Sequence, residues 1–264
     1  MSRRSRRRWR RALPDIEVAR LAIAVGFIFL AAIVRGYSGF GFSLLAITAL
    51  SLLFTPAQVI PAIFMLEIAA SVHMLPGLWR DIHWGSLWPL VIGTAIGTPL
   101  GVYALAHVPV PPMQVALACF VLVATALLWR GFALKTMPNR PATLGIGAAA
   151  GVANGAFGIG GPPVVLFYFA SPAGHAVGRA SLVAYFMTTD LVGLGFLSRE
   201  GLVTWAAALK ALVFLPALVA GVWLGTRSFK SANPETFRKW VLAILAVLAV
   251  LIAVKGGIGL FSSG

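Results

Sequence analysis

Long apolar runs separated by short polar stretches dominate the pattern of this chain. These runs recur from about residue 18 onward, and most approach the roughly 20 residues that a helix needs to cross a bilayer. They lack the strict alternation of apolar and polar positions that is typical of half-buried strands. The pattern therefore predicts an all-α integral membrane protein with about eight spans.

Glycine interrupts two of the apolar runs. The stronger interruption, at 154–163, holds four glycines and two prolines, and a weaker one covers 35–42. Neither continues a regular helix, because proline has no amide donor and glycine has no conformational restraint. Broken backbone at membrane depth is tolerated only where protein or a watery cavity satisfies it. Paired breaks of this kind indicate the binding site of a transporter.

The two breaks belong to two matched halves of the chain. Phe64 has a counterpart in Phe186, and Trp84 has one in Trp205, at an offset of about 120 residues. The sequence thus predicts two tandem repeats of about four transmembrane helices each, and each repeat begins with a glycine-broken helix. The predicted segments are a basic cytoplasmic tail at 1–17, repeat 1 at 18–130, a central loop at 131–141, repeat 2 at 142–255 and a C-terminal tail at 256–264.

Composition narrows the class of protein further. The chain is 59% hydrophobic and 11% charged, whereas soluble domains carry about 25% charged residues. Its formal net charge of +14 owes much to seven arginines within 3–11. Such a tail holds an N-terminus in the cytoplasm beside anionic lipid. We therefore expect a multi-pass protein of a plasma membrane, the inner membrane of a bacterium, and no nucleic-acid partner.

The sequence allows two membrane orientations of the second repeat relative to the first. If each broken segment is a single crossing, the chain has eight spans and the repeats are parallel. If each broken segment is a re-entrant hairpin, the repeats are inverted. The dense arginine tail favours eight spans with both ends in the cytoplasm.

The second break carries a resemblance to a known family. The segment 151–163, GVANGAFGIGGPP, resembles the small-residue run, ending in Gly-x-Gly-Gly with a nearby proline, of the TauE/SafE or sulfite exporter family of membrane transporters. The resemblance extends over about 20–255. The first break departs from the family pattern, because Phe42 and Ser43 stand where glycines are expected. The resemblance implies a secondary active transporter of a small anion, such as sulfite, another sulfur oxyanion or an organosulfonate.

The two breaks supply the candidate substrate-binding residues. The free amides and the dipole at a helix N-terminus favour an anion, and glycine lets the backbone approach it. A buried arginine would neutralise the charge of the anion. The alternatives are that the glycines only permit close helix crossing and that the arginine extends to the interface. The candidates are Asn154, Gly155, Gly158, Gly160, Gly161 and Pro162 in the second break, and Arg35, Ser38, Gly39 and Gly41 in the first.

Three further polar residues within apolar runs are candidates for proton coupling or for polar pairing. They are Glu67, Asp190 and His73. Burial disfavours the charged form of a carboxyl group, so a carboxylate in the membrane can carry a proton. The alternative is a structural pair with Arg35, His73 or a neighbouring helix. Arg179 lies near the end of its run and is expected at the membrane interface.

Two other functional classes are alternatives to a transporter. A membrane-embedded enzyme needs a nucleophile with a base, or a metal cluster, and neither Cys119 nor the four histidines show such a spacing. A structural or assembly subunit would need breaks that are packed shut or face lipid. We expect no enzyme, no metal and no cofactor. The expected partners are a small anion and the lipid bilayer. Assembly into a homo-oligomer is a further possibility.

Overall fold

Helices make up nearly all of the part of the chain that the structure, a computed structural model, describes. This part comprises residues 3–130, 136–170, 174–228 and 234–262, and it contains no strand. The helices are α1 Arg3–Ser38, α2 Phe42–Leu50, α3 Pro56–Met74, α4 Trp84–His107, α5 Val110–Arg130, α6 Arg140–Phe157, α7 Gly161–Ala170, α8 His175–Arg199, α9 Trp205–Ser228 and α10 Pro234–Ser262.

Seven helices within these ranges are long and apolar enough to cross a membrane. They are α3, α4, α5, α8, α9, α10 and the Ala19–Ser38 part of α1. The predicted all-α membrane fold is therefore confirmed. The eighth predicted crossing falls on α6, which is less apolar because it contains several glycines, Arg140 and Asn154.

The outward faces of the spanning helices are apolar. Ile96, Leu100, Leu212 and Val219 are all more than half exposed on the isolated chain. A continuous apolar surface of this kind is unfavourable in water and suits the hydrocarbon of a bilayer. Polar side chains are instead buried between the helices, which makes the interior the place to look for a functional site.

Glycines let two pairs of helices approach closely. A Cβ atom on Gly97 of α4 would overlap the carbonyl oxygen of Ala148 of α6, and one on Gly225 of α9 would overlap the carbonyl oxygen of Ile33 of α1. Small residues at such crossings bring the backbones into van der Waals contact, which is a main source of helix association in lipid. The helices that carry the two breaks, α1 and α6, are therefore each held by one close neighbour.

The helix contacts have matching counterparts in the two halves. α1 packs on α9 as α6 packs on α4, α2 packs on α10 as α7 packs on α5, and both α3–α8 and α5–α10 are in contact. This pattern is the one expected if α1–α5 and α6–α10 were two copies of one unit related by a two-fold axis. The repeat itself stays a prediction.

Helix ends differ from the predicted segment boundaries. The basic tail predicted at 1–17 is helical from Arg3 onward and continues into the first span. α10 extends to Ser262, through most of the C-terminal tail predicted at 256–264. Helical hydrogen bonds persist beyond the apolar stretch from which the boundaries were read. The first five residues of the central loop predicted at 131–141 lie outside the described residues.

Candidate functional site

The chain turns sharply between α1 and α2, and again between α6 and α7. Gly39, Gly41 and Gly158 have φ angles of 79°, 87° and 66°, in the left-handed region that residues with a Cβ rarely adopt. The short helices that follow have 9 residues in α2 and 10 in α7. Each turn thus places the N-terminus of a short helix inside the protein.

Ser38 closes the first break locally. Its hydroxyl lies 2.7 Å from the carbonyl oxygen of Val34 and 2.8 Å from that of Phe40, and it can donate to either. The amide of Gly39 donates to the carbonyl oxygen of Arg35 at 2.8 Å. In this structure Ser38, a predicted substrate ligand, therefore satisfies backbone that the break sets free.

A buried ion pair lies beside the first break. Nη1 of Arg35 is 2.9 Å from Oε2 of Glu67, and the two side chains are 0% and 1% exposed. Nη2 of Arg35 donates to the hydroxyl of Ser71 at 2.8 Å. Oε1 of Glu67 accepts from the amide of Ser43 at 3.1 Å. Because Ser43 is the second residue of α2, the carboxylate lies at the positive end of that helix.

The buried ion pair of Arg35 and Glu67 needs further hydrogen bonds to offset its loss of hydration. Taking two ions out of water costs several kcal/mol for each ion, and their attraction offsets this only with good geometry and further hydrogen bonds. Ser71 and the Ser43 amide provide those bonds. Arg35 is fully buried and does not extend to the interface. Glu67 pairs with Arg35, which is one of the two roles considered for Glu67 in the sequence analysis.

Asn154 holds the turn of the second break. Its Oδ1 accepts from the amide of Gly160 at 3.3 Å, just ahead of α7. The Asp190 carboxyl lies beside the Asn154 amide and interacts electrostatically with Glu67 and Arg35. Nδ2 of Asn154 and Oδ2 of Asp190 are both buried, and neither has a partner with hydrogen-bond geometry among the described residues. The polar groups of the two breaks therefore form one buried cluster.

Phe186 of α8 contacts both sides of this cluster. The guanidinium carbon of Arg35 is 5.1 Å from the centroid of its ring, which is within the range of a cation–π interaction. A Cβ atom on Gly161, the first residue of α7, would lie 3.2 Å from Cζ of the same ring. The ring thus connects the cation of the first break to the start of the helix after the second.

Three predicted residues of the second break lie where the backbone has little room. A Cβ atom on Gly160 would lie 2.9 Å from Cβ of Asn154, and one on Gly158 would lie 2.5 Å from Cδ1 of Ile47 in α2. Pro162 is buried in the first turn of α7. Gly160 therefore requires glycine for space and Gly158 for its positive φ angle, whether or not their amides meet a ligand.

Two predicted site residues are not part of the cluster. Gly155 faces α4, and a Cβ atom there would overlap the carbonyl oxygen of Thr98. Its role in the structure is helix packing. His73 is exposed near the end of α3, so it does not share the interior with Glu67.

Arg179 borders the first break. It is half-buried, its Nη2 donates to the carbonyl oxygen of Gly36 at 3.3 Å, and a Cβ atom on Gly39 would lie 2.7 Å from its Cγ. It also interacts electrostatically with Arg35. Arg179 is the fourth residue of the apolar span Ala176–Arg199, so its interfacial position stays a prediction, and its guanidinium adds a second cation at the first break.

Lys255 of α10 binds carbonyl oxygens at the C-terminal end of α2, a contact that the sequence did not reveal. Its Nζ donates to the carbonyl oxygens of Ser51 and Leu52 at 3.1 and 2.9 Å. A cation at the C-terminal end of α2 stabilises the dipole of that helix. The only signal in the sequence was a lysine within an apolar run, with nothing to indicate its partner about 200 positions away.

A cavity of about 690 Å³ lies at the end of α3. Its wall includes Val72, Trp79, Arg80 and Met187, and neither Arg35 nor Glu67 lines it. Val72 and Met187 are sequence neighbours of Ser71 and Phe186, two of the residues that contact Arg35. In the described ranges no group of three or more His, Cys, Asp or Glu residues is placed to hold a metal ion.

Comparisons with known proteins agree with a transporter. The profile of the family described as Sulfite exporter TauE/SafE matches residues 23–252. A relative, the probable sulfite/organosulfonate exporter TauE of Cupriavidus necator, is 25% identical over 214 residues, which cover 78% of this chain and 82% of the relative. No solved structure matches the chain significantly.

Proposed function

This chain belongs to the sulfite exporter TauE/SafE family, and we propose that it is a secondary active transporter of a small sulfur-containing anion. The name of the Cupriavidus necator relative supports sulfite or an organosulfonate as the substrate class. The seven apolar helices make it a multi-pass membrane protein. We assign it to the inner membrane of a bacterium.

The observation that carries the proposal is the fully buried guanidinium of Arg35 at the N-terminus of α2. A charged side chain inside a membrane protein is costly and is a functional candidate by default. The planar guanidinium offers parallel donors that match the oxygens of an oxyanion. The Ser71 hydroxyl accepts from this guanidinium, and the Ser43 amide donates to Glu67, the ion-pair partner of Arg35, so polar groups from three helices converge on one small volume.

Asn154 extends this donor set to the second break. Its buried Nδ2 makes no hydrogen bond of good geometry within the described residues and lies beside the Asp190 carboxyl. A bound oxyanion between the breaks would accept from this amide and from Arg35 together. We therefore place the anion between Arg35, Asn154 and the first turns of α2 and α7.

Alternating access would arise from movement of one repeat against the other around this position. We assign the cavity lined by Val72 and Met187, at the end of α3, to the access route on one side. Opening the other side requires the contacts of Phe186 with Arg35 and Gly161 to rearrange. We assign proton coupling to Glu67 and Asp190, the two carboxyl groups of the cluster.

Purified protein in proteoliposomes tests the proposal. Sulfite, sulfate, thiosulfate and short alkyl sulfonates are offered one at a time, with and without a pH gradient. We expect flux of at least one sulfur anion, and we expect R35Q to reduce it by about tenfold or more, because the charge-assisted bonds are lost. The matched control is R140Q, at the exposed start of α6. Silence for every anion, or full flux through R35Q, would contradict the proposal.

A further inference from the structure

We propose that Glu67 is a tethered competitor of the transported anion. Its carboxylate occupies the anion site in this structure, and the substrate binds by displacing it while Glu67 takes up one proton. This inference rests on the proposed function, because it concerns the same site.

The contacts of Glu67 are those expected of a bound oxyanion. One carboxylate oxygen is 2.9 Å from the guanidinium of Arg35, and the other accepts from the Ser43 amide at 3.1 Å. A carboxylate and a sulfonate both present a delocalised negative charge on oxygens at one end of the molecule, and both pair with arginine and with helix N-termini. Nη1 of Arg35 and the Ser43 amide, which Glu67 engages, cannot serve a substrate at the same time, so the two anions compete for these donors.

The second break has no ion pair of this kind within the described residues. There the amide of Gly160 meets the neutral side-chain oxygen of Asn154 at 3.3 Å, and the Asp190 carboxyl lies beside the Asn154 amide. The competition for Arg35 therefore lies at the first break, where Arg35 and Glu67 already neutralise each other.

Among the residues that the structure describes, a displaced Glu67 has no better cation nearby. The side chain is 1% exposed, and an unpaired buried carboxylate is strongly disfavoured. The groups that face this region from α8 are Asp190, which has the same charge when ionised, Tyr185 beside Asp190, and Arg179, which already donates to Gly36.

The other elements packed on α3 offer no closer partner. α2 contains no titratable side chain, and Lys210 of α9 lies beside Gln58, near the opposite end of α3. Arg35 of α1 is the cation that the substrate itself takes. Protonation of Glu67 is therefore the least costly outcome. One anion and one proton enter together, one O–H bond forms on the carboxylate, and the buried charge stays the same.

Anion binding and proton uptake provide the test, with ethanesulfonate as the probe because its charge is constant throughout the neutral pH range. Calorimetry of the detergent-purified protein, in buffers of different ionisation enthalpy, gives both the affinity and the number of protons bound with the probe. Wild type should take up about one proton per probe and bind more tightly at mildly acid pH. E67Q should take up none and should bind the probe about tenfold more tightly at alkaline pH, a typical size for coupling between two sites.

Two matched variants separate Glu67 from other carboxyl groups. E200Q, at an exposed position just beyond α8, should behave as wild type, and D190N should keep the proton uptake. If D190N abolishes the uptake and E67Q retains it, Asp190 is the proton carrier and the inference is overturned. Equal affinity and equal proton uptake in E67Q and wild type overturn it as well.

The wild-type protein alone tests the inference, so the test does not depend on whether E67Q folds. Probe binding that is independent of pH and takes up no proton would overturn the inference and leave the anion site of the proposed function intact. E67D offers a second variant, because its shorter carboxylate should compete less well and still take up the proton. Absence of probe binding by wild type and every variant would instead remove the proposed organosulfonate site, and this inference with it.

Discussion

Arg35 lies over the ring of Phe186, with its guanidinium carbon 5.1 Å from the ring centroid. The face of an aromatic ring attracts a cation, and the attraction is strongest where water is excluded. The same ring lies against Gly161 at the start of α7. Movement of α7 relative to α1 must therefore rearrange a contact that also positions the buried cation.

Replacing Phe186 with leucine should slow transport more than it disturbs the fold. Leucine keeps an apolar side chain in place but removes the aromatic face, which is worth about 0.5–2 kcal/mol to a nearby cation. Flux per reconstituted protein should fall between about twofold and thirtyfold. The matched control is F64L. Phe64 lies on α3, the helix of the first half that corresponds to α8, and it is buried against Gly193 of α8. Equal losses of flux in F186L and F64L would assign Phe186 a packing role only.

Valine at position 160 should abolish transport without preventing membrane insertion. Even a single Cβ atom there would lie 2.9 Å from Cβ of Asn154 and 3.0 Å from the carbonyl oxygen of Ala150, so valine would displace Asn154 from the turn. The control is G145V, because nothing lies within 4 Å of a Cβ atom at Gly145 of α6. Both proteins should be found in the membrane fraction, and only G145V should transport. Normal flux through G160V would remove the second break from the mechanism.

The sequence marks the two glycine-rich stretches by composition alone, because the conformations of glycine and proline are local properties. Gly39, Gly41 and Gly158 adopt positive φ angles within stretches already marked by their composition. The all-helical membrane fold likewise follows from long apolar runs, because a bilayer imposes backbone hydrogen bonding within each segment.

The partners within the site could not be predicted, because they depend on how helices distant in sequence pack together. Glu67 and His73 are six residues apart on α3, which corresponds to about 240° around a helix, and only Glu67 faces Arg35. Gly155 and Gly160 look alike in the sequence, yet Gly155 faces α4. Apolar lengths and glycine spacing carry no information about which face of a helix meets which neighbour.

Changing Asp190 to asparagine should weaken the pH dependence of anion flux without abolishing it. Asp190 lies in the same buried cluster as Glu67, and two neighbouring carboxyl groups resist being ionised together. Wild-type flux should therefore fall as the pH rises, whereas D190N should keep only the part of this dependence that comes from Glu67. Flux measured at several pH values, with E200Q as the control, checks this. An unchanged profile in D190N would leave Asp190 with a structural role.

Leucine at position 97 should destabilise the protein by separating α4 from α6. A Cβ atom at Gly97 would overlap the backbone oxygen of Ala148, and backbone cannot move aside as a flexible side chain can. Overpacking of this kind costs about 1–3 kcal/mol, and the thermal midpoint of the detergent-purified protein should fall accordingly. G145A is the control, since nothing lies within 4 Å of a Cβ atom there. Because α6 ends at the second break, G97L should also lose flux in proportion. If G97L kept the thermal midpoint of G145A, the close α4–α6 contact would not be needed to hold Asn154 in place.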